Sequence, residues 1–85
     1  MFVIELSKRA SIFLEKLDKH IMEIITTRLK KLKSNPFPKD AKFLGRHKGD
    51  KVFRYRIGNY RALYKVKDKI VLITKIDKRE RIYNF

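Results

Sequence analysis

The stretch VFRYRIGNYRALYKV, residues 52–66, alternates with a period of two on both sides of a glycine. Before the glycine, Phe53, Tyr55 and Ile57 share one side of the chain, with Arg54 and Arg56 on the other. After it, Tyr60, Ala62, Tyr64 and Val66 oppose Arg61, Leu63 and Lys65. Two alternating runs joined by Gly58-Asn59 read as an antiparallel hairpin with a tight turn. One face of that hairpin is aromatic and apolar and belongs against a core. The other gathers Arg54, Arg56 and Arg61.

The rest of the fold follows outward from this hairpin. Lys67-Asp68-Lys69 is a second turn, and Ile70 to Ile76 is an apolar strand suited to the middle of a sheet. The tail Lys78-Arg79-Glu80-Arg81-Ile82-Tyr83 leaves it with a burst of charge and a tyrosine. Upstream, residues 39–50 are polar, contain Gly45 and Gly49, and read as a loop. Asn35-Pro36-Phe37-Pro38 ends a helical region, since proline lacks an N–H and pushes the preceding residue out of helical space. Before it, Ala10, Phe13, Leu14 and Leu17 recur at helical spacing from Lys8 to Asp18, behind Ser7 as a cap. A second helical pattern with Ile21, Ile24 or Ile25, Arg28 or Leu29, and Leu32 runs from about Lys19 to Lys33. Met1 to Leu6 alternates as a short strand. The expected order is β-α-α-β-β-β: an α+β fold, one domain over residues 1–85, with a helical hairpin on a three-stranded antiparallel meander. Its core should contain Phe13, Leu17, Ile21, Ile25, Tyr55, Ala62, Tyr64, Leu72 and Ile76.

Composition narrows the function. Lys and Arg number 23 against 9 Asp and Glu, a formal net charge of +14 over 85 residues. Residues 1–40 carry 9 basic and 5 acidic side chains, while residues 41–85 carry 14 and 4, so the excess lies in the strand-forming half. Solubility needs a net charge of only about 2–8 in a small domain, and a field of this size attracts polyanions, nucleic acid first among them. There is no cysteine, which excludes disulfides, zinc–cysteine sites and a thiol nucleophile. Apolar runs such as Ile70–Ile73 are four residues long, far short of the roughly 20 of a membrane span. Glu5, Lys8 and Arg9 break any signal-peptide apolar region at the start. The expectation is a soluble, cytoplasmic domain with no membrane partner.

His20 and His47 are the only histidines, 27 positions apart and outside any metal-ligand spacing, and three scattered glycines build no phosphate loop. No metal site and no cofactor is expected, and catalysis would fall to Arg, Lys and Tyr. One reaction suits that set: RNA cleaved by its own 2′-hydroxyl attacking the adjacent phosphate. A protein then orients the backbone, neutralises the phosphorane and moves protons. Guanidinium groups suit the phosphate because they offer paired donors at fixed geometry and stay charged. Tyr83 could align a phosphate, exchange a proton, stack on a base or plug the core.

The opening strand and Ser-Lys-Arg-Ala helix start, the connector LKSNPFPKDAKFLG, the hairpin FRYRIGNYRALYKV and the ending IDKRERIY together resemble the RelE/ParE superfamily of toxins from toxin–antitoxin pairs. The resemblance spans essentially the whole chain and is nearer the RelE branch, whose members cut messenger RNA in the ribosomal A site. It implies a cofactor-free, metal-independent endoribonuclease that inhibits translation on the ribosome. By position, Arg61, Arg79 and Tyr83 would be catalytic, and Arg54, Arg56, Arg81 and Lys78 would bind RNA phosphates. Several ribonucleases of the family have lysine where Arg54 and Arg56 stand, and many have histidine where Lys78 stands. An acidic, RelB-like antitoxin is the implied protein partner, beside the ribosome and its message. Two alternatives share the fold: a ParE-like inhibitor of DNA gyrase, and a non-catalytic nucleic-acid binder.

Overall fold

The computed structural model describes residues 1–79. In chain order the elements are β1 (Val3–Leu6), α1 (Lys8–Glu15), α2 (Lys19–Lys30) with a 3₁₀ turn at Lys31–Lys33, β2 (Ala41–His47), β3 (Asp50–Ile57), β4 (Tyr60–Lys67) and β5 (Ile70–Lys78). The five strands form one sheet in the order β1-β5-β4-β3-β2. β2 to β5 run antiparallel to their neighbours, and β1 closes the far edge parallel to β5. The helices lie on one face, as the sequence leads one to expect for an α+β fold.

Local chemistry sets the boundaries. The Ser7 hydroxyl accepts the Ala10 N–H and caps α1, while the Asp18 carboxylate accepts the His20 N–H and caps α2. α1 stops at Glu15, three residues before the expected Asp18, because the chain must turn to present Asp18 as that second cap. The apolar stripes bury Ala10, Leu14, Ile25, Leu29 and Leu32 against Tyr55, Ile57, Ala62, Tyr64, Val71, Ile73 and Ile76. Phe13, Leu17 and Ile21 pack on this cluster from the rim and stay half-buried. Ile57 and Tyr60 pair across the Gly58-Asn59 turn, where Gly58 has φ +59°, a value that costs glycine nothing.

Two expectations need correction. Residues 41–47, read as loop, are β2, so the meander has four strands rather than three. The alternation there is broken by a bulge at Leu44: Phe43 pairs with Phe53, and Gly45 with Val52. As an edge strand it also carries Lys42 and Arg46, charges of the kind that keep an open edge from pairing with other chains. Leu72, expected in the core, faces the opposite side of the sheet. Leu63 pairs with Lys75 but Tyr64 pairs with Ile73, so Thr74 is an extra residue in β5. One inserted residue inverts the facing of everything beyond it. Val71 and Ile73 take the core positions, and Leu72 lies across from Lys65.

The connector between helices and sheet is held from within. The buried Tyr64 hydroxyl donates to the Pro36 carbonyl at 2.7 Å, and burial followed by the neighbouring Tyr55 and Asp40 pushes its pKa up. Arg28 closes the same seam from α2: its Nη2 meets Asp40 Oδ2 at 2.9 Å and the Arg56 carbonyl at 3.2 Å. Its guanidinium carbon stands 5.1 Å from the centre of the Tyr55 ring.

Candidate nucleic-acid interface

On the face away from the helices, register brings the arginines of the hairpin together. Arg56 lies directly opposite Arg61, and Arg54 lies opposite Leu63, two residues along the same strands. Lys42 of β2 continues the row beside Arg54, and Lys75 of β5 continues it beside Leu63. Directly opposite side chains in a sheet are about 4.5–5.5 Å apart at Cβ, so Arg56 and Arg61 are neighbours of like charge. Among the described residues neither they nor Arg54 form an ion pair with a carboxylate. Asp77 sits opposite Arg61 in β5, yet its Oδ1 accepts the Lys78 N–H at 2.7 Å instead.

Arg61 is the centre of this face. It is 8% exposed, and its Nη1 donates to the Tyr60 carbonyl at 3.3 Å. Burial lowers its pKa, and Arg56, Arg54 and Arg79 lower it further. A guanidinium that is short of water and surrounded by cations binds an anion more strongly than an exposed one does, because the anion replaces lost solvation and cancels the repulsion. Arg79 follows the end of β5. Its N–H donates to the Asn59 carbonyl at 2.8 Å, fixing the backbone beside the β3–β4 turn, and its side chain is exposed.

The structure thus assembles Arg54, Arg56, Arg61 and Arg79 at one end of the sheet. Lys78 departs from this group. It pairs with Tyr60, on the helix-facing side of the sheet, and lines an apolar groove of about 570 Å³ with Ile21, Ile24, Ile25, Ile57 and Tyr60. Arg81 and Tyr83 lie outside the described residues. Sequence reasoning passed over Asp77, the only acid placed across from Arg61; its facing depends on the bulge at Thr74, which alternation alone does not reveal.

The family model of the ParE toxin of type II toxin–antitoxin systems, parDE, matches residues 4–83. The chain is 38% identical to the toxin RelE1 of Methanocaldococcus jannaschii over 85 residues, covering 96% of this chain and 94% of that one. The chain belongs to the RelE/ParE superfamily of toxins. Solved members of the superfamily share its architecture. The toxin in the archaeal RelE–RelB complex of Pyrococcus horikoshii superposes with a TM-score of 0.82 at 26% identity, over 95% of this chain and 98% of that one. The RelBE2 toxin–antitoxin complex of Mycobacterium tuberculosis gives 0.76 at 27% identity, over 92% and 98%. No helix among the described residues is long and apolar enough to cross a membrane.

Proposed function

We propose that this toxin cuts messenger RNA on the ribosome by promoting attack of a 2′-hydroxyl on the adjacent phosphate. The observation that carries the reading is Arg61, almost fully buried and still facing Arg54 and Arg56 with no carboxylate partner among the described residues. An arrangement of like charges that costs stability in the free protein is repaid when a phosphate enters, and most fully when that phosphate gains charge in the phosphorane. Arg61 and Arg79 neutralise that charge. Arg54, Arg56 and Arg81 hold the flanking backbone. Tyr83 orients the reacting phosphate or assists proton transfer, and Lys78 adds attraction from the rim. The partner that silences the toxin is an acidic antitoxin of the RelB kind, which the solved relatives carry in their complexes.

The match to the ParE model supports a second reading, inhibition of DNA gyrase without RNA cleavage. Substitution separates the two. Arg61→Ala and Arg79→Ala should each lower cleavage of ribosome-bound message by about 10²–10³, the usual effect of losing one preorganised donor at a developing charge. Ribosome binding should persist. Cleavage at wild-type rates in both variants would refute the assignment.

A further inference from the structure

A second basic cleft lies on the arginine face, toward the other end of the sheet. Arg9 of α1, His47 of β2, Lys65 of β4 and Thr74 of β5 wall it, and Val52 and Leu63, each 1% exposed, form its floor. We propose that Arg9, His47 and Lys65 form a second phosphate subsite, which holds the RNA backbone a few nucleotides from the phosphate at Arg61. The proposal rests on the nuclease reading and extends it along the strand of RNA.

The cleft is built rather than a chance gathering of surface charge. Thr74 is the extra residue of the β5 bulge, which leaves its carbonyl outside the regular ladder. That carbonyl accepts two side chains, the Ser7 hydroxyl at 2.8 Å and Arg9 Nε at 2.9 Å. Arg9 is thereby tied at Nε, and among the described residues its two Nη groups make no hydrogen bond. They are the paired donors that suit a phosphate. Across the cleft, Lys65 Nζ lies 3.2 Å from His47 Nδ1 and 4.0 Å from Asp50 Oδ2. Among the described residues Asp50 is the one carboxylate within ion-pair distance of these groups, at the 4.0 Å limit, while Glu5 and Asp68 line a neighbouring cleft on the other side of Lys65. The floor matters too: two apolar residues kept from water lower the local dielectric and strengthen any contact made above them.

Register connects the two sites. Arg61, Leu63 and Lys65 share the face at successive two-residue steps, so Lys65 is about 13 Å from Arg61 along β4. A stacked nucleic-acid strand carries a phosphate about every 3.4 Å of its axis, so about four nucleotides cover that distance, fewer if the strand is extended. Arg54 and Lys75 flank Leu63 between the two sites, so the path from Arg61 to Lys65 stays cationic along its length, as suits a phosphate backbone.

The test pairs a change in the protein with a change in the RNA. Messages carrying one uncharged methylphosphonate linkage, moved nucleotide by nucleotide away from the cut, are offered on ribosomes to the wild-type toxin and to an Arg9→Ala/Lys65→Gln variant. Ser7 still holds the Thr74 carbonyl in that variant, and its melting temperature and its residual cleavage of unmodified message show that it is folded. The wild type should lose about tenfold or more in cleavage at one linkage a few nucleotides from the cut, while the variant loses nothing further there. Equal losses in both proteins at every linkage overturn the subsite and leave the nuclease reading standing. A variant with normal cleavage but weakened antitoxin binding overturns it too, assigning the cleft to the protein partner. Wild-type toxin that cuts no message at all overturns the subsite and the nuclease reading together.

Discussion

Arg61→Met separates what the arginine face costs the fold from what it does to a substrate. Methionine keeps a flexible stem of similar reach over the sheet but removes the charge. Arg61 lies opposite Arg56 and diagonal to Arg54, and like-charged cross-strand pairs are unfavourable by about 0.2–1 kcal/mol each. Against that relief stands one lost hydrogen bond, from Nη1 to the Tyr60 carbonyl at 3.3 Å, worth about 0.5–1.5 kcal/mol at ordinary length and less when long. The two nearly cancel, and the removed desolvation of a buried charge tips the sum toward stabilisation. The expected thermal unfolding midpoint in low salt is therefore equal to wild type or higher, at about 4–8 °C per kcal/mol for a domain of this size. Cleavage should fall by about 10²–10³ in the same protein. Added salt should raise the wild-type midpoint more than that of the variant, because screening relieves only the protein that has the repulsion. A variant destabilised by more than about 1 kcal/mol with its cleavage intact would show that Arg61 is a structural strut, and the argument from like charge would fail.

Three further outcomes follow from the packing. Tyr64→Phe removes the only donor seen on the Pro36 carbonyl among the described residues. It should cost about 1–3 kcal/mol in denaturant unfolding, the penalty of a buried group left unpaired; an unchanged midpoint would mean that water replaces the phenol. Since that pKa is raised, the hydroxyl prefers its proton in the fold, so the stability it contributes is fully present below the ordinary tyrosine pKa and is lost progressively as pH rises above it toward the raised value. Tyr64→Phe should lack that alkaline loss, so the stability gap between it and wild type should narrow as pH rises. Leu29→Ala, at a core position of α2, should cost about 2–5 kcal/mol without altering the rate per folded molecule, whereas a rate loss beyond the folded fraction would tie α2 to the site.

The face of the hairpin was legible in the sequence because nothing interrupts its alternation. Arg54, Arg56 and Arg61 converge as residues 52–66 imply, and Tyr55, Ala62 and Tyr64 are buried on the other side. The failures share one cause. Bulges at Leu44 and Thr74 each add a residue to a strand, hiding β2 in a polar stretch and turning Leu72 out of the core. A bulge has no strict residue signature, so a period-two reading passes through it and inverts what lies beyond. Contacts across long separations were equally hidden. Tyr64 reads as an apolar ring until Pro36, 28 positions away, supplies an acceptor, and Arg28 reads as one more basic side chain on a helix until Asp40 and Tyr55 close around it. Arg9 joins the sheet face through the carbonyl of a bulge residue 65 positions away.

The central claim is that the arginine face promotes attack by the RNA's own 2′-hydroxyl, and one atom of the substrate tests it. Ribosomes programmed with a message that the toxin cuts at a known site are compared with ribosomes carrying the same message with a single 2′-deoxynucleotide on the 5′ side of that cut. The account requires that cleavage at the altered position disappear while neighbouring sites are still cut, and that the unmodified product end in a 2′,3′-cyclic phosphate. Cleavage persisting at the deoxynucleotide, or intact message under conditions where purified gyrase is inhibited, would contradict it.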